Sequence, residues 1–452
     1  MPGSTSVPSD RRRWGLLLVL AGNMLIDALE VSVAVVAMPA VGKDLSLPTA
    51  EAQWLISGFA LGFGGLLLFG HRVVERFGRR RAYLAALLCY VSLCWVSSLA
   101  SDPTLLIASR IGRGACAALT APTGLAIISA TFREGAERNR ALSVYTLVGA
   151  SGFSVGLLIS GALTEESWRW ALGFPAPVVL VLLVFGWRLV PADRGDREVR
   201  PGSGALTAGC LTGALAALVQ AMVNLPVRGW RSVPVAGSFV LFVLLVGAML
   251  VVERSASRPL VRGPIFAGGP RLHAMVGAAC LNGSFIGLLL VFMIRLSTLP
   301  GWSSWHAALA LLPASIPLVL LAPFTGRLLN RFRTRALIAA GSVPAFAGYV
   351  VSLSSSTSPG YLTGMLPTVL LVGIGFALGF AALNSQVLHG IAAEDRMSAS
   401  GLYQTVVQVA AVVMTAAVTA LLALSASAAF WLVTGVGAVG LVNAAIGLRK
   451  HI

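Results

Sequence analysis

Long apolar stretches dominate the sequence, and each is long enough to cross a lipid bilayer as a helix. Crossing the hydrocarbon layer takes about 20 mostly apolar residues. Hydropathy, with proline, glycine and charge clusters as breaks, predicts fourteen such spans: 14–38, 53–74, 82–100, 104–128, 141–163, 171–190, 204–224, 234–253, 273–295, 306–326, 336–354, 361–388, 399–422 and 427–448. Only 11% of the 452 residues are charged, which is too few for a soluble protein of this size. The sequence therefore predicts an all-α transmembrane protein.

The distribution of basic residues predicts how the chain crosses the membrane. If the N-terminus faces the cytoplasm, the inner segments hold 26 of the 33 Lys and Arg residues and the outer loops hold five. Basic residues are enriched in cytoplasmic loops, so we expect a multi-pass protein of the cell membrane with both termini in the cytoplasm. The net charge of +16 is explained by this bias, and no nucleic-acid partner is expected. Nearly all the basic residues are Arg, which indicates a GC-rich bacterial genome.

Two pairs of short segments, far apart in the chain, are similar in sequence. Segment 72–77 (RVVERF) follows the second span and segment 327–332 (RLLNRF) follows the tenth, at an offset of 255 residues. Segments 138–145 and 396–403 form a second pair at an offset of 258. The members of each pair stand at matching places within spans 1–6 and spans 9–14. The sequence therefore predicts two copies of a six-helix unit.

This repeat predicts three parts of the chain. Residues 1–195 form an N-terminal six-helix bundle, residues 196–270 an inserted helix pair and residues 271–452 a C-terminal six-helix bundle. Parallel six-helix halves related by an axis along the membrane normal are the architecture of transporters that rock around a site between the halves.

Short motifs stand at the ends of several predicted spans. They are 30–39 at the end of span 1, 53–54 at the start of span 2, 71–81 in the next loop, 110–114 in span 4 and 168–170 before span 6. In these motifs, and over essentially the whole chain, the sequence resembles the fourteen-span drug:proton antiporters of the major facilitator superfamily.

The resemblance implies a major facilitator fold and the export of an amphiphilic small molecule, such as an antibiotic, in exchange for protons by alternating access. The partners expected are this substrate, protons and the lipid bilayer, and we expect a monomer. The sequence contains no G-x-x-x-x-G-K-[ST] motif for ATP and no catalytic motif. We therefore expect neither an enzyme nor a cofactor, and the spacing of Cys and His predicts no metal site.

Several positions differ from the family pattern. His71 stands where the loop motif has Gly, Glu75 replaces its Asp and Arg113 replaces Gln. Leu157 stands in place of the Pro of the antiporter motif in span 5, and Pro175 replaces an Asn before span 6. The missing proline leaves open a metabolite transporter of the same fold with another coupling mode. A membrane sensor or scaffold that no longer transports is a further alternative, disfavoured because charges remain within the spans.

Four charged residues lie within the predicted spans, away from their ends: Asp27, Glu30, Arg110 and Arg113. Each costs at least about 2.5–3.5 kcal/mol at mid-bilayer, so such residues usually face the interior of the bundle. The acids are three residues apart on span 1 and the arginines three apart on span 4, so each pair shares a helix face. At about 1.5 Å per residue, the two pairs lie at overlapping depths. We therefore expect them to meet in one cluster.

The predicted cluster has a functional and a structural interpretation. Desolvation favours the neutral form of a carboxyl, whereas a nearby Arg favours its charged form. Moving the two helices apart would change which of these two effects dominates. The acid would therefore bind a proton in one state and release it in the other. We assign Glu30 as the proton carrier from its place in the motif, Asp27 as the second candidate and Arg110 as the tuning partner. The alternative is a static, charge-neutral cluster that ties two helices together.

The basic loop after span 2 is predicted to form a cytoplasmic latch that holds the outward-open state. Its residues are Gly70, His71, Arg72, Glu75, Arg76, Gly78, Arg79 and Arg80. In the latch, Glu75 pairs with Arg79 or Arg80 and interacts with the dipole of the next helix. An alternative of equal weight is that the arginines bind anionic lipid at the membrane surface and so fix the topology of the chain.

Two further sets of residues complete the predicted site. Span 5 keeps most small residues of the antiporter motif, represented by Gly152, Gly156 and Gly161. Small residues let helices approach closely, so this face is either a moving interface or a packing seam. Polar and aromatic residues within other spans are candidates for lining a substrate cavity: Phe59, Asn282, Asn384, Tyr403 and Gln404.

Overall fold

The chain folds as a bundle of helices, and their order follows the predicted spans. The computed structural model describes residues 10–193, 202–256, 269–354, 360–391 and 395–449, and these contain no strand. The membrane elements are α1 Asp10–Asp44, α2 Trp54–Phe77, α3 Arg79–Leu99, α4 Pro103–Thr131, α5 Ala136–Glu166, α6 Trp168–Gly173 with Pro175–Leu189, α7 Gly202–Arg228, α8 Val233–Ser255, α9 Gly269–Thr298, α10 Ser304–Leu311 with Ile316–Leu321 and Thr325–Arg331, α11 Thr334–Ser354, α12 Leu366–Leu388, α13 Arg396–Leu422 and α14 Ala426–Arg449. Among the described residues, thirteen elements are long and apolar enough to span a bilayer unbroken, and α10 is a bent pair.

The helices mostly run past the ends of the predicted spans. Thus α1 covers Asp10–Asp44 rather than 14–38, and α5 covers Ala136–Glu166 rather than 141–163. Hydropathy marks only the apolar part of a helix, whereas backbone hydrogen bonding continues into its polar ends. The helix-to-helix turn at Gly78 is correspondingly short, and its φ of 86° is one that favours glycine.

The predicted span 306–326 corresponds to α10, which is a bent pair of helices and not one regular helix. Within α10, 3₁₀ turns at Leu312–Ala314 and Ala322–Phe324 interrupt the α-helix, and the element bends by 41°. Each 3₁₀ turn contains a proline near its start. Proline has no N–H to donate and its ring clashes with the preceding turn, so α10 cannot continue as one regular helix.

The two groups of six helices each pack mainly among themselves. In the first group, α1 packs against α5 and α2 against α4; in the second, α9 packs against α13 and α11 against α12. The groups meet along two seams, α2 with α13 and α5 with α10. The predicted boundary at 195/196 lies outside the described residues, and that at 270/271 falls in the first turn of α9.

The inserted pair lies against one of these seams. Helix α7 packs on both α2 and α13, while α8 packs on α7 and is otherwise almost entirely exposed. The apolar surface of α8 therefore faces the surroundings of the bundle, as expected for a helix in contact with lipid.

Helices α2 and α4 cross with their backbones in close contact. A Cβ atom on Gly62 would overlap the carbonyl oxygen of Ile111, and one on Gly114 would overlap that of Phe59. No side chain can move aside to relieve either contact, because the obstacle is backbone. This crossing holds Arg110 and Arg113 of α4 at a fixed distance from α2.

We expect Gly114→Ala to destabilise the protein, because the added methyl group meets the backbone of α2. Overpacking of this kind costs about 1–3 kcal/mol or more, which thermal unfolding of purified protein in detergent will detect. The matched control is Gly237→Ala on α8, where no atom lies within 4 Å of the added Cβ. Equal stability of the two variants would contradict the close α2–α4 contact.

Candidate functional site

Glu30 on α1 lies fully buried between two guanidinium groups of α4. Its Oε2 pairs with Nη1 of Arg110 and its Oε1 with Nη2 of Arg113. The hydroxyl of Tyr90 on α3 also donates to Oε1. The structure therefore brings three of the four predicted charged residues together.

The two guanidinium groups reach further helices through their remaining donors. Arg110 Nε donates to the carbonyl oxygen of Leu55 on α2 at 2.8 Å, and Arg113 Nη1 donates to that of Leu172 on α6 at 3.0 Å. The helices that hold these partners in the described part of the chain are α1, α2, α3, α4 and α6, and they belong to the N-terminal group. The cluster therefore stabilises that group as one unit.

One carboxylate cannot neutralise two guanidinium groups, so a positive charge remains buried. Aromatic rings compensate in part, since a ring face attracts a cation. The Arg110 guanidinium lies 5.5 Å from the ring centroid of Phe59, and that of Arg113 lies 5.1 Å from the ring of Tyr90. Loss of Glu30 would leave both cations without their anion in a dry site, which is strongly destabilising.

Asp27 does not join this cluster, which corrects the predicted group of four. Its Oδ2 accepts hydrogen bonds from Nδ2 of Asn23 at 3.0 Å and from Oγ1 of Thr120 at 3.1 Å. No guanidinium contacts it among the described residues. Although Asp27 and Glu30 share a helix face, a shift of one turn along α1 places them beside different parts of α4.

Asn23 and Thr120 are site residues that the sequence interpretation missed. Asn23 lies four residues before Asp27, so the i,i+4 spacing was a usable signal. Thr120 carries no sequence signal, because only the packing of α4 on α1 brings it to the carboxylate.

A cavity of about 1120 Å³ lies between the N-terminal group and α13. Its inner wall combines one carboxylate with aromatic and amide side chains: Asp27, Phe59, Phe63, Tyr145, Gln404 and Gln408. It extends to the helix ends on the face of the basic loops, where titratable residues line its mouth: His71, Arg72, Glu75, Arg79 and Arg396. Space of this size and mixed character suits an amphiphilic small molecule.

Two of the five residues predicted to line a substrate cavity lie in the wall of this cavity. Phe59 and Gln404 line it, but Asn282, Tyr403 and Asn384 do not. Asn282 donates to the carbonyl oxygen of Val407 at 2.9 Å, and the Tyr403 hydroxyl donates to that of Phe380 at 3.0 Å. Both side chains therefore serve helix packing within the C-terminal group. Asn384 lies on α12, an element that does not contribute to the cavity wall.

The segment from Gly70 to Arg80, predicted as a loop, is the last part of α2, Gly78 and the start of α3, and its contacts differ from the predicted ones. Glu75 lies 3.8 Å from Nε2 of His71, its neighbour one turn earlier, rather than against Arg79 or Arg80. The backbone N–H groups of these two arginines, at the start of α3, instead donate to the carboxylate of Asp193 at 2.8 and 3.1 Å. Asp193 thus takes the place at the helix N-terminus that the sequence assigned to Glu75, since an anion there is stabilised by the helix dipole.

The remaining loop residues divide by the surface that they contact. Gly70 packs on α4, where an added Cβ would lie 2.7 Å from the carbonyl oxygen of Ala118. Arg80 Nη2 donates to the carbonyl oxygen of Trp187 at 2.6 Å, and the Arg76 guanidinium lies over the ring of Phe77. The loop is therefore anchored within the N-terminal group.

The three glycines of α5 pack on two different partners. A Cβ on Gly152 would lie 2.7 Å from the carbonyl oxygen of Leu25, and one on Gly156 would lie 3.0 Å from that of Leu29, so both glycines face α1. Gly161 instead faces α10 across the seam between the groups. The motif is thus a packing seam with α1 along most of its length and an interface between the halves at its end.

The α5–α10 seam closes the face opposite the mouth of the cavity. Glu165 Oε1 accepts a hydrogen bond from the backbone N of Trp305 at 2.7 Å. Deeper along the same seam, the hydroxyls of Ser154 and Ser315 lie 2.7 Å apart. The cavity is therefore open on one face of the bundle and sealed on the other.

A third polar cluster explains the Trp-Arg-Trp segment at the start of α6. Asp44 at the end of α1 accepts from Trp168 Nε1 at 2.9 Å and pairs with Arg169 Nη1 at 2.7 Å. The Arg169 guanidinium also lies 4.2 Å from the ring centroid of Trp168. These contacts join α1 to α6 on the sealed face.

Comparison with known proteins places this arrangement among transporters. The sequence model of the Major Facilitator Superfamily matches residues 20–415. The puromycin resistance protein pur8 of Streptomyces alboniger is 36% identical over 373 residues, covering 81% of this chain and 73% of that protein. The cephamycin export protein CmcT of Amycolatopsis lactamdurans is 31% identical over 405 residues, covering 86% and 81%.

Solved structures show the same fold at low sequence identity. The crystal structure of PepTSo, a transporter of the POT family, superposes with a TM-score of 0.70 at 16% identity and covers 98% of each chain. The two six-helix groups and the all-helical architecture are thus those of a known transporter fold.

We expect Gly161→Val to open the sealed face. The added Cβ would lie 2.7 Å from Cβ of Ala308. Overpacking that costs about 1–3 kcal/mol shifts the equilibrium between the sealed and the open α5–α10 seam by about fivefold to 150-fold. Spin labels at positions 166 and 303, in a background without the five native cysteines, will report a longer distance between α5 and α10. Gly247→Val on α8, where the Cβ meets no atom within 4 Å, is the control. An unchanged distance in Gly161→Val would refute this role.

Proposed function

The chain belongs to the major facilitator superfamily, and we propose that it exports an amphiphilic small molecule of antibiotic type across the cell membrane in exchange for protons. The observation that carries this proposal is the carboxylate of Asp27 in the wall of a large cavity that is open on one face only. The names of the relatives support an antibiotic as substrate, since they include a puromycin resistance protein and a cephamycin export protein.

Alternating access accounts for the transport step. The cavity mouth lies on the face of the basic loops, which the distribution of Lys and Arg assigns to the cytoplasm. Substrate enters there, and rocking of the two six-helix groups closes the mouth while the α5–α10 seam opens. Both termini are then cytoplasmic, in accordance with the sequence interpretation.

We assign proton coupling to the charged residues of α1 and α4. Glu30 is held by Arg110 and Arg113, and all the helices around it move together if the groups rock as units. Rocking alone therefore does not separate Glu30 from its partners. Asp27 has no such partner among the described residues and lies in the cavity wall, so it is the carboxyl that exchanges a proton as access changes. Glu30, paired with Arg110 and Arg113, then fixes the position of α1 relative to α4.

The basic loop remains a candidate latch for the outward-open state. Glu75 on α2 and Arg396 on α13 line opposite walls of the cavity mouth, and they carry opposite charges. Closure of the mouth brings these walls together, so an ion pair between the groups would stabilise the closed mouth. In the present state Glu75 contacts only His71 of its own helix among the described pairs.

The test is proton-driven uptake of puromycin, used as the probe substrate, into inside-out vesicles from a pump-deficient host. Asp27→Asn is expected to reduce gradient-driven uptake to the background measured with a proton uncoupler, because the coupling carboxyl is lost. Glu30→Gln is expected to reduce both uptake and protein stability, because two buried arginines lose their anion. Glu166→Gln, at an exposed acid at the end of α5, is the matched control.

Each other outcome selects a different interpretation. If Asp27→Asn and Glu30→Gln, singly and together, leave gradient-driven uptake intact, the proton-coupling mechanism is wrong. Uptake that the uncoupler does not reduce favours a transporter with another coupling mode. A screen of further compounds that finds binding without any flux favours a sensor or scaffold.

A further inference from the structure

The two oxygens of the Asp27 carboxylate have different surroundings. Both hydrogen bonds to this group, from Asn23 Nδ2 and Thr120 Oγ1, end on Oδ2. The second oxygen, Oδ1, receives no donor from the described part of the chain. Since Asp27 lines the cavity, Oδ1 is the oxygen left for a proton or for a donor group of the substrate.

The ionised form of Asp27 depends on these two donors. The titratable groups close enough to interact with its charge are Glu30 on α1, Tyr83 on α3, Cys116 on α4 and Tyr145 on α5. None of them carries a positive charge, and Glu30 is occupied by its own arginines. Hydrogen bonds are therefore what stabilises the carboxylate here, and those to an ionised group are about twice as strong as those to a neutral one.

We propose that Asn23 and Thr120 are positioning residues, which direct Oδ1 of Asp27 into the cavity and set the pH at which this carboxyl gains and loses its proton. The inference rests on the proposed function only in giving that proton a role in transport. Asn23 lies one turn before Asp27 on the same helix and fixes the side chain from α1. Thr120 fixes it from α4, so the geometry also depends on how these two helices pack.

Thr120 has a second acceptor that matches a carboxyl which changes its charge. Its Oγ1 lies 3.1 Å from Oδ2 of Asp27 and 3.3 Å from the carbonyl oxygen of Ala117 on its own helix. When Asp27 is protonated at Oδ1, Oδ2 becomes a weaker acceptor, and the hydroxyl retains a partner in Ala117. Neither state leaves the buried hydroxyl without an acceptor, so protonation carries no large desolvation cost at this residue.

The experiment is a direct titration of Asp27 in the full-length protein, without any substrate. Infrared difference spectra of protein in lipid nanodiscs are recorded across pH, and the C=O band of a protonated carboxyl that disappears in Asp27→Asn is assigned to this residue. Thr120→Val and Asn23→Leu are each expected to move the midpoint of that band upward by about one pH unit, because each removes a donor that favours the ionised form. Thr120→Ser keeps the hydroxyl and is expected to keep the midpoint.

The matched control is Thr123→Val on the same helix. Thr123 is equally buried, but its hydroxyl donates to the carbonyl oxygen of Leu119 in its own helix, so the midpoint is expected to stay unchanged. The proposal is overturned if Thr120→Val and Asn23→Leu leave the midpoint in place, if Thr123→Val moves it as far, or if no band depends on Asp27. Should Thr120→Val fail to fold, Asn23→Leu and Thr120→Ser decide the question.

Flux measurements on the same variants separate this inference from the proposed function. A shifted midpoint in a protein that transports nothing supports the positioning roles and rejects the export function. Proton-driven export by variants whose midpoint is unshifted supports the export function and rejects the positioning roles.

Discussion

The arrangement of the N-terminal group depends on the buried contact of Glu30 with Arg110 and Arg113. Charges inside a membrane protein must be paired and hydrogen-bonded, because neither lipid nor a packed core solvates them. Here one carboxylate, two guanidinium groups and a tyrosine hydroxyl meet, and carbonyl oxygens of α2 and α6 each accept one further guanidinium donor. The contact therefore sets the depth and rotation of α1 against α4. That rotation in turn places Asp27, one turn away, in the wall of the cavity.

The internal repeat is symmetric in backbone but not in chemistry. At the 255-residue offset between segments 72–77 and 327–332, Asn282 and Phe285 stand where α1 has Asp27 and Glu30. Asn282 bonds to the backbone of α13, while Phe285 lies against the rings of Phe153 and Phe376. The N-terminal group thus carries two ionisable residues at this place, whereas the corresponding place in the C-terminal group holds a neutral amide and an aromatic ring. Such a division lets one group hold the coupling charges while the other supplies a surface that moves past them.

The two seams between the groups differ as well. At the α2–α13 seam, Gly64 packs against the Gln408 side chain, and the open cavity lies beside it. The α5–α10 seam is closed by Gly161 and by hydrogen bonds of Glu165 and Ser154. The bends in α10, which its prolines cause, shape the surface that meets α5. One seam is therefore sealed while the other borders the cavity, as alternating access requires of a single state.

The sequence by itself determined the order of the apolar helices, because hydropathy and proline act locally and need no knowledge of neighbours. The fourteen predicted spans correspond to thirteen unbroken helices and one bent pair among the described residues. The sequence also determined that Glu30 and the span 4 arginines would meet, since three-residue spacing and depth along the membrane normal left few other partners. Only the tertiary structure decided that Asp27 stands apart with Asn23 and Thr120, that Asp193 rather than Glu75 caps α3, and that Asn282 and Tyr403 turn away from the cavity. Periodicity shows which side chains share a face of a helix, but which neighbour that face meets is decided by how all the helices pack together.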